Sequence, residues 1–208
     1  MMRNALPYWI GAVAVLAWGA WLVGPGSSGG LALDPLLLGW ARDCQGPRLD
    51  PVMGAVTWLG SLWLLLPLAL GVALYLRRRG ESRRALFLTG ALLGAALLAQ
   101  LFKHGIDRPR PDLFPPLTSL PLDPAYPSAH TMQGVAAALA LALLAGRRHA
   151  WVWLPLGGAA LMVAWSRIHL QVHFPSDVVA GALAAALWVL GLKRLLLTGP
   201  VAGRTDRG

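Results

Sequence analysis

The chain has 208 residues, 56% hydrophobic and only 13% charged, with a mean hydropathy of +0.57 and a formal charge of +9. Soluble domains average about 25% charged residues, so this composition excludes an ordinary water-soluble fold and makes lipid the expected solvent. Cys44 is the only cysteine, which excludes an intramolecular disulfide and leaves a cysteine-based zinc site without support.

Hydropathy predicts an all-α integral membrane protein of one domain, with six transmembrane helices at about 7–24, 52–76, 85–103, 129–146, 150–166 and 177–197. A span needs about 20 apolar residues, with a range of roughly 17–25. The first run is longer than the apolar core of a usual signal peptide, so it is expected to remain as a span. Segment 25–50 opens on "PGSSGG" and continues with leucines and Trp40, a pattern suited to a short helix in the outer interface. The third span leads into segment 104–127, where seven prolines in 24 residues forbid a continuous helix. A loop that long is expected to form part of a binding site. The final span has only 15 apolar residues before Lys193 and Arg194, and it reaches full length if those side chains snorkel.

Six spans place 12 of the 18 Lys and Arg on one side of the membrane, chiefly through "RRRGESRR" (77–84), "RRH" (147–149) and the C-terminal segment. By the positive-inside rule that side is cytoplasmic, with both termini inside. The net charge is then a topology signal, and nucleic-acid binding is not expected. The remaining polar residues gather on the other side. Lys103, Arg108 and Arg110 follow the third span, Ser128 and His130 open the fourth, Ser166 and Arg167 close the fifth, and His173 and Asp177 precede or open the sixth. Singly, each has a structural explanation. Ser128 suits a helix N-cap, a span-end lysine snorkels, and Asp177 complements a helix dipole. Jointly, they put cations, histidines and a carboxylate on the surface that the charge rule should leave poor in Lys and Arg.

Their spacing is Lys103-x6-Arg110-Pro111, then Pro127-Ser128-Ala129-His130, then Ser166-Arg167-x5-His173-x3-Asp177. These three blocks resemble the signature of the type-2 phosphatidic acid phosphatase superfamily, which also includes vanadium haloperoxidases and bacterial acid phosphatases. Ten positions agree in order, and the usual Pro-Ser-Gly-His block has Ala129 in place of glycine. The methyl group keeps the backbone N–H but narrows the space around it.

The resemblance implies a catalytic core from the third to sixth spans, facing the periplasm or outside of a bacterial inner membrane. It implies a lipid phosphatase without metal or other cofactor, acting on a lipid phosphate monoester or diphosphate such as undecaprenyl diphosphate, phosphatidylglycerophosphate or phosphatidic acid. Lys103, Arg110, Arg167, Ser128 and Ala129 would bind the phosphate, helped by the amide groups at a helix N-terminus. His173 would attack phosphorus and form a phosphohistidine, Asp177 would orient its ring, and His130 would serve as general acid and then base. Two histidines with opposite protonation needs imply a bell-shaped pH profile. Arg108 is expected at the pocket entrance, and His104 and His169 lie near the site but off the pattern. A phosphotransferase passing the phosphoryl group to a second lipid needs the same residues, and a lipid-binding or transport protein with a disabled pocket is the non-enzymatic alternative. Oligomeric state is not legible.

Overall fold

The structure, a computed structural model, describes residues 2–24 and 31–198, and every regular element among them is helical. In order these are α1 Met2–Val23, α2 Leu33–Asp43, α3 Leu49–Val56, a 3₁₀ turn Thr57–Gly60, α4 Leu62–Arg78, α5 Ser82–Ile106, α6 Ala129–Ala145, a second 3₁₀ segment Arg147–Val152, α7 Trp153–His169 and α8 Pro175–Leu196. Among the described residues, three helices are long and apolar enough to cross a membrane: Asn4–Val23, Ser82–Ile106 and Pro175–Leu196. The bent pair Leu49–Gly60 and Leu62–Arg78 makes a fourth if taken as one span, and Ala129–Ala145 is a shorter apolar helix.

Alanine and glycine set the helix spacing. The core is built from Leu88, Ala91, Leu92, Ala95 and Ala99 of α5, Met132, Ala136 and Ala140 of α6, and Ala184, Ala185 and Val189 of α8. Small side chains let helix backbones approach closely, the main source of packing energy where lipid removes the usual hydrophobic drive. α1 lies along α8, and a methyl group at Gly191 would strike the Trp9 indole. Trp9 and Trp188 rings sit 5.7 Å apart, and Trp188 donates to the Gly90 carbonyl at 3.0 Å. On the outside, Leu97, Leu101, Leu154, Leu161 and Leu183 are exposed, an apolar surface suited to a bilayer.

The second predicted span, 52–76, is not one straight helix. It bends by 45° between the 3₁₀ turn and α4. Ser61 adopts an extended conformation there, and its side chain accepts the Trp63 N–H at 3.3 Å, capping α4. At Gly60, a methyl group would come within 2.7 Å of the His130 carbonyl oxygen. The break therefore lets this segment lie directly on the start of α6.

Two ends of the bundle differ. At the basic end, Arg84 pairs with Glu81 and donates to the Leu144 carbonyl at 2.5 Å, while Arg83 donates to Leu195 O at 3.4 Å. At the other end, the C-termini of α5 and α7 meet the N-termini of α6 and α8. The proline-rich loop crosses this end after α5 stops at Ile106, with Asp107 in the left-handed region (φ 50°). The expected interfacial helix is α2, whose Leu38 and Ala41 pack on Ile168, Phe174 and Val178 while Trp40 meets Trp165 at 5.0 Å.

Candidate active site

A cavity of about 210 Å³ opens at this second end. Lys103 closes α5, Arg110 comes from the proline-rich loop, Ala129 and His130 open α6, Arg167 belongs to the last turn of α7, and His173 to the turn before α8; all six line the cavity. Ser61, Leu62 and Trp63 of the α4 start and Gln100 of α5 form another wall, with Trp63 86% exposed at the surface. A larger groove of about 360 Å³ between α1, α2 and α8 is apolar and contains no cation.

The turn after α7 places His173 by backbone bonding. The Val172 and His173 amides both donate to the Arg167 carbonyl, at 3.2 and 3.3 Å, and Gln171 takes a left-handed conformation (φ 59°). Asp177, in the first turn of α8, accepts the Phe174 N–H at 2.9 Å on the same Oδ2 that lies 3.3 Å from His173 Nδ1. That contact makes Nδ1 the protonated nitrogen and leaves a lone pair on Nε2, which sits 3.2 Å from Arg110 Nη1. Burial holds the His173 ring well below the ordinary imidazole range, and the cations Arg110, Arg167 and Lys103 push it the same way. The ring is therefore neutral at neutral pH. In isotope-labelled protein, the His173 ring resonances should show no titration midpoint at the ordinary value of about 6.5, only at more acidic pH. A midpoint at or above that ordinary value would contradict this electrostatic picture.

The cations are held by protein acceptors. Arg110 Nη1 donates to Val172 O at 2.7 Å, Nη2 to Asp123 Oδ1 at 2.7 Å, and Nε to the Asp123 carbonyl at 3.1 Å. Lys103 Nζ lies 3.2 Å from Asp123 Oδ2 and also donates to the Pro124 carbonyl. Asp123, a third exposed, thus bridges two of the three cavity cations, a role sequence reasoning missed. Burial raises the Asp123 carboxyl, but Lys103 and Arg110 outweigh it and keep it below the usual range. Arg167 Nη1 donates to Thr57 Oγ1 at 2.6 Å, while its buried Nε has no partner among the described residues.

Other expectations meet a different arrangement. Ser128 holds the N-cap position of α6 but makes no capping bond through its side chain. Its hydroxyl accepts from Thr131 Oγ1 at 3.0 Å, its amide donates to the Asp177 carbonyl at 3.2 Å, and it is fully buried beside the cavity wall. Arg108 is not at the pocket entrance. It is wholly buried outside the cavity lining, between Asp177, Asp34 and Ser176, because two buried carboxylates need a cation between them. His169 is buried against Asp50 at 2.9 Å, and His104 is exposed on α5; neither lines the cavity.

Comparison with known proteins finds relatives in both sequence and fold. A sequence model of the PAP2 superfamily matches residues 84–198. An undecaprenyl-diphosphatase of Sulfolobus acidocaldarius is 27% identical over 162 residues, covering 76% of this chain and 75% of that protein. Phosphatidylglycerophosphatase B of Bacillus subtilis is 30% identical over 147 residues, 65% of this chain and 69% of the relative. In fold, the crystal structure of a transmembrane PAP2-type phosphatidylglycerolphosphate phosphatase from Bacillus subtilis superposes with a TM-score of 0.74 at 24% identity, over 92% of this chain and 94% of that one. The LpxE structure of Aquifex aeolicus gives 0.65 at 25% identity, over 78% and 96%.

Proposed function

The chain belongs to the PAP2 superfamily, and from that membership we propose that it is a membrane phosphatase that removes phosphate from a lipid phosphate monoester or diphosphate through a phosphohistidine at His173. One observation carries this reading. Three cations and two histidines from three separated blocks line one cavity, and its wall ends at exposed Trp63. The cations offset the charge on the non-bridging oxygens, where protein and lipid exclude most of the water.

The chemistry follows from which atoms are free. The Nε2 lone pair of His173 attacks phosphorus in line as the bond to the leaving oxygen breaks. That oxygen keeps the electron pair of the broken bond and takes a proton from His130, which enters this step as the imidazolium beside the bound phosphate dianion, releasing a lipid alcohol or a lipid monophosphate. Asp177 keeps the Nδ1 proton in place and offsets the positive charge that develops on the ring. Neutral His130 then takes a proton from water, the resulting oxygen attacks phosphorus, and the P–N bond breaks to return the pair to Nε2. Inorganic phosphate leaves, and both histidines are back in their starting protonation states.

The charge asymmetry supports six spans with both termini cytoplasmic and the cavity facing outward. A lipid whose tails stay in the bilayer can reach the cavity past Trp63, between α4 and α5. Relatives named for undecaprenyl diphosphate and phosphatidylglycerophosphate support a lipid diphosphate or a glycerolipid monoester as the substrate class. The test is phosphate release by the purified protein from a panel of labelled lipid phosphates, in one detergent and with a chelator present. Release of free phosphate from at least one lipid is expected. Label appearing on a second lipid instead would make the protein a transferase, and no turnover without added metal would refute the metal-free route.

Asp123 occupies the cations that a phosphate must engage. Asp123→Asn removes that competing charge, so KM should fall about threefold with kcat nearly unchanged. An increase in KM of that size would mean the carboxylate organises the cations instead of competing for them.

A further inference from the structure

We propose that Asp34, on the outer helix α2, is a positioning residue for the His173–Asp177 pair, acting through Arg108 and Ser176. It rests on the phosphohistidine reading above, yet it concerns a part of the chain outside residues 84–198 that the family model matches.

Asp34 is 1% exposed, and its carboxylate is fully engaged on α8 and the loop. Oδ1 accepts the Ser176 N–H at 2.8 Å, and Oδ2 accepts the Ser176 hydroxyl at 2.6 Å and lies 3.2 Å from Arg108 Nη2. The other nitrogen of that guanidinium, Nη1, donates to Asp177 Oδ1 and to Ser176 Oγ. The Phe174 ring covers the guanidinium at 4.0 Å. One buried cation therefore spans two buried carboxylates, and Asp34 decides how it is aimed.

The consequence falls on Asp177. With Oδ1 fixed by Arg108, its Oδ2 is turned to the Phe174 amide and His173 Nδ1. A carboxylate free to rotate would leave the imidazole without a fixed tautomer, and small misplacements of reacting groups are costly. α2 is tied to the same turn once more, by Gln171 Nε2 to Leu38 O at 3.0 Å, and Gln45, two residues past its end, donates to the carbonyl of His169 at the end of α7 at 2.8 Å. The outer helix thus serves as the rigid backing of the catalytic turn.

The experiment uses the full-length protein in detergent. Asp34→Asn should lower kcat about tenfold while KM stays within about twofold, because the phosphate-binding cations are untouched. The Nδ1 proton resonance of His173 should shift in the same variant, and that readout does not require turnover. Should Asp34→Asn fail to fold, Ser176→Ala decides, since it removes two of these contacts without stranding a charge; a loss of about threefold in kcat is expected. Folded variants with unchanged kcat and an unmoved Nδ1 proton would overturn the proposal, as would a loss confined to KM. An inactive wild type whose Nδ1 proton still responds to Asp34→Asn would instead refute the phosphatase reading and leave the positioning role standing.

Discussion

Replacing His173 with alanine should lower phosphate release by about 10⁴-fold or more, because it removes the atom to which the proposed route transfers the phosphoryl group. The cavity keeps its cations in this variant, so phosphate or vanadate should still inhibit its residual turnover at concentrations similar to those for the parent. Folding should survive, since Asp177 retains the Phe174 amide and Arg108 when the ring is gone. The parent protein quenched during turnover should carry acid-labile label, and the alanine variant none. Retention of more than about 1% of activity would give the nucleophile's role to another group. His130→Ala supplies a contrast within the same cavity. It leaves the nucleophile intact but removes the proton donor and the base for water, so label should accumulate on the protein when the leaving group needs no proton.

The residues that meet at the cavity were legible because charge is so scarce on this chain. In a protein with 13% charged residues, a lysine or arginine beside an apolar run needs a reason, and the family resemblance of the three blocks grouped Lys103, Arg110 and Arg167 with His173. Helix placement followed from hydropathy for the same reason. What escaped was settled by tertiary contacts that leave no periodic mark. The bend at Ser61 lies within a run that averages as apolar, and the close approach of Gly60 to Val163 and the His130 carbonyl that goes with it joins residues distant in sequence. Asp34 and Asp123 sit in segments read as interface and loop, and nothing nearby in sequence names Arg108, Lys103 or Arg110 as their partners. Arg108 and Arg110 are two residues apart in "RPRP", yet one is buried behind the catalytic turn and the other lines the cavity. The backbone path alone separates them, and spacing carries no record of that path.

That separation makes Arg110 the cation whose loss should be felt most. Its Nη1 stands 3.2 Å from His173 Nε2, so on the proposed route a phosphoryl group bonding to that nitrogen must pass alongside this guanidinium. A planar fork can hold two non-bridging oxygens as their charge redistributes, which a single ammonium cannot reproduce. Arg110→Leu should therefore lower kcat/KM by about 10²- to 10³-fold, the range measured when one preorganised donor to a developing oxyanion is lost. Arg110→Lys should recover only part of this, with a deficit of about tenfold, because charge returns without the fork. Burial already strains this cation, lowering it from the usual guanidinium range against the pull of Asp123, so an incoming phosphate dianion relieves a desolvated charge as it binds. Adding Asp123→Asn to Arg110→Leu should then improve KM less than Asp123→Asn does alone, since one of the two cations it frees is missing. If Arg110→Leu stayed within threefold of the parent, the phosphate would have to be held by Lys103 and Arg167, and the in-line geometry argued from Nε2 would fall with it.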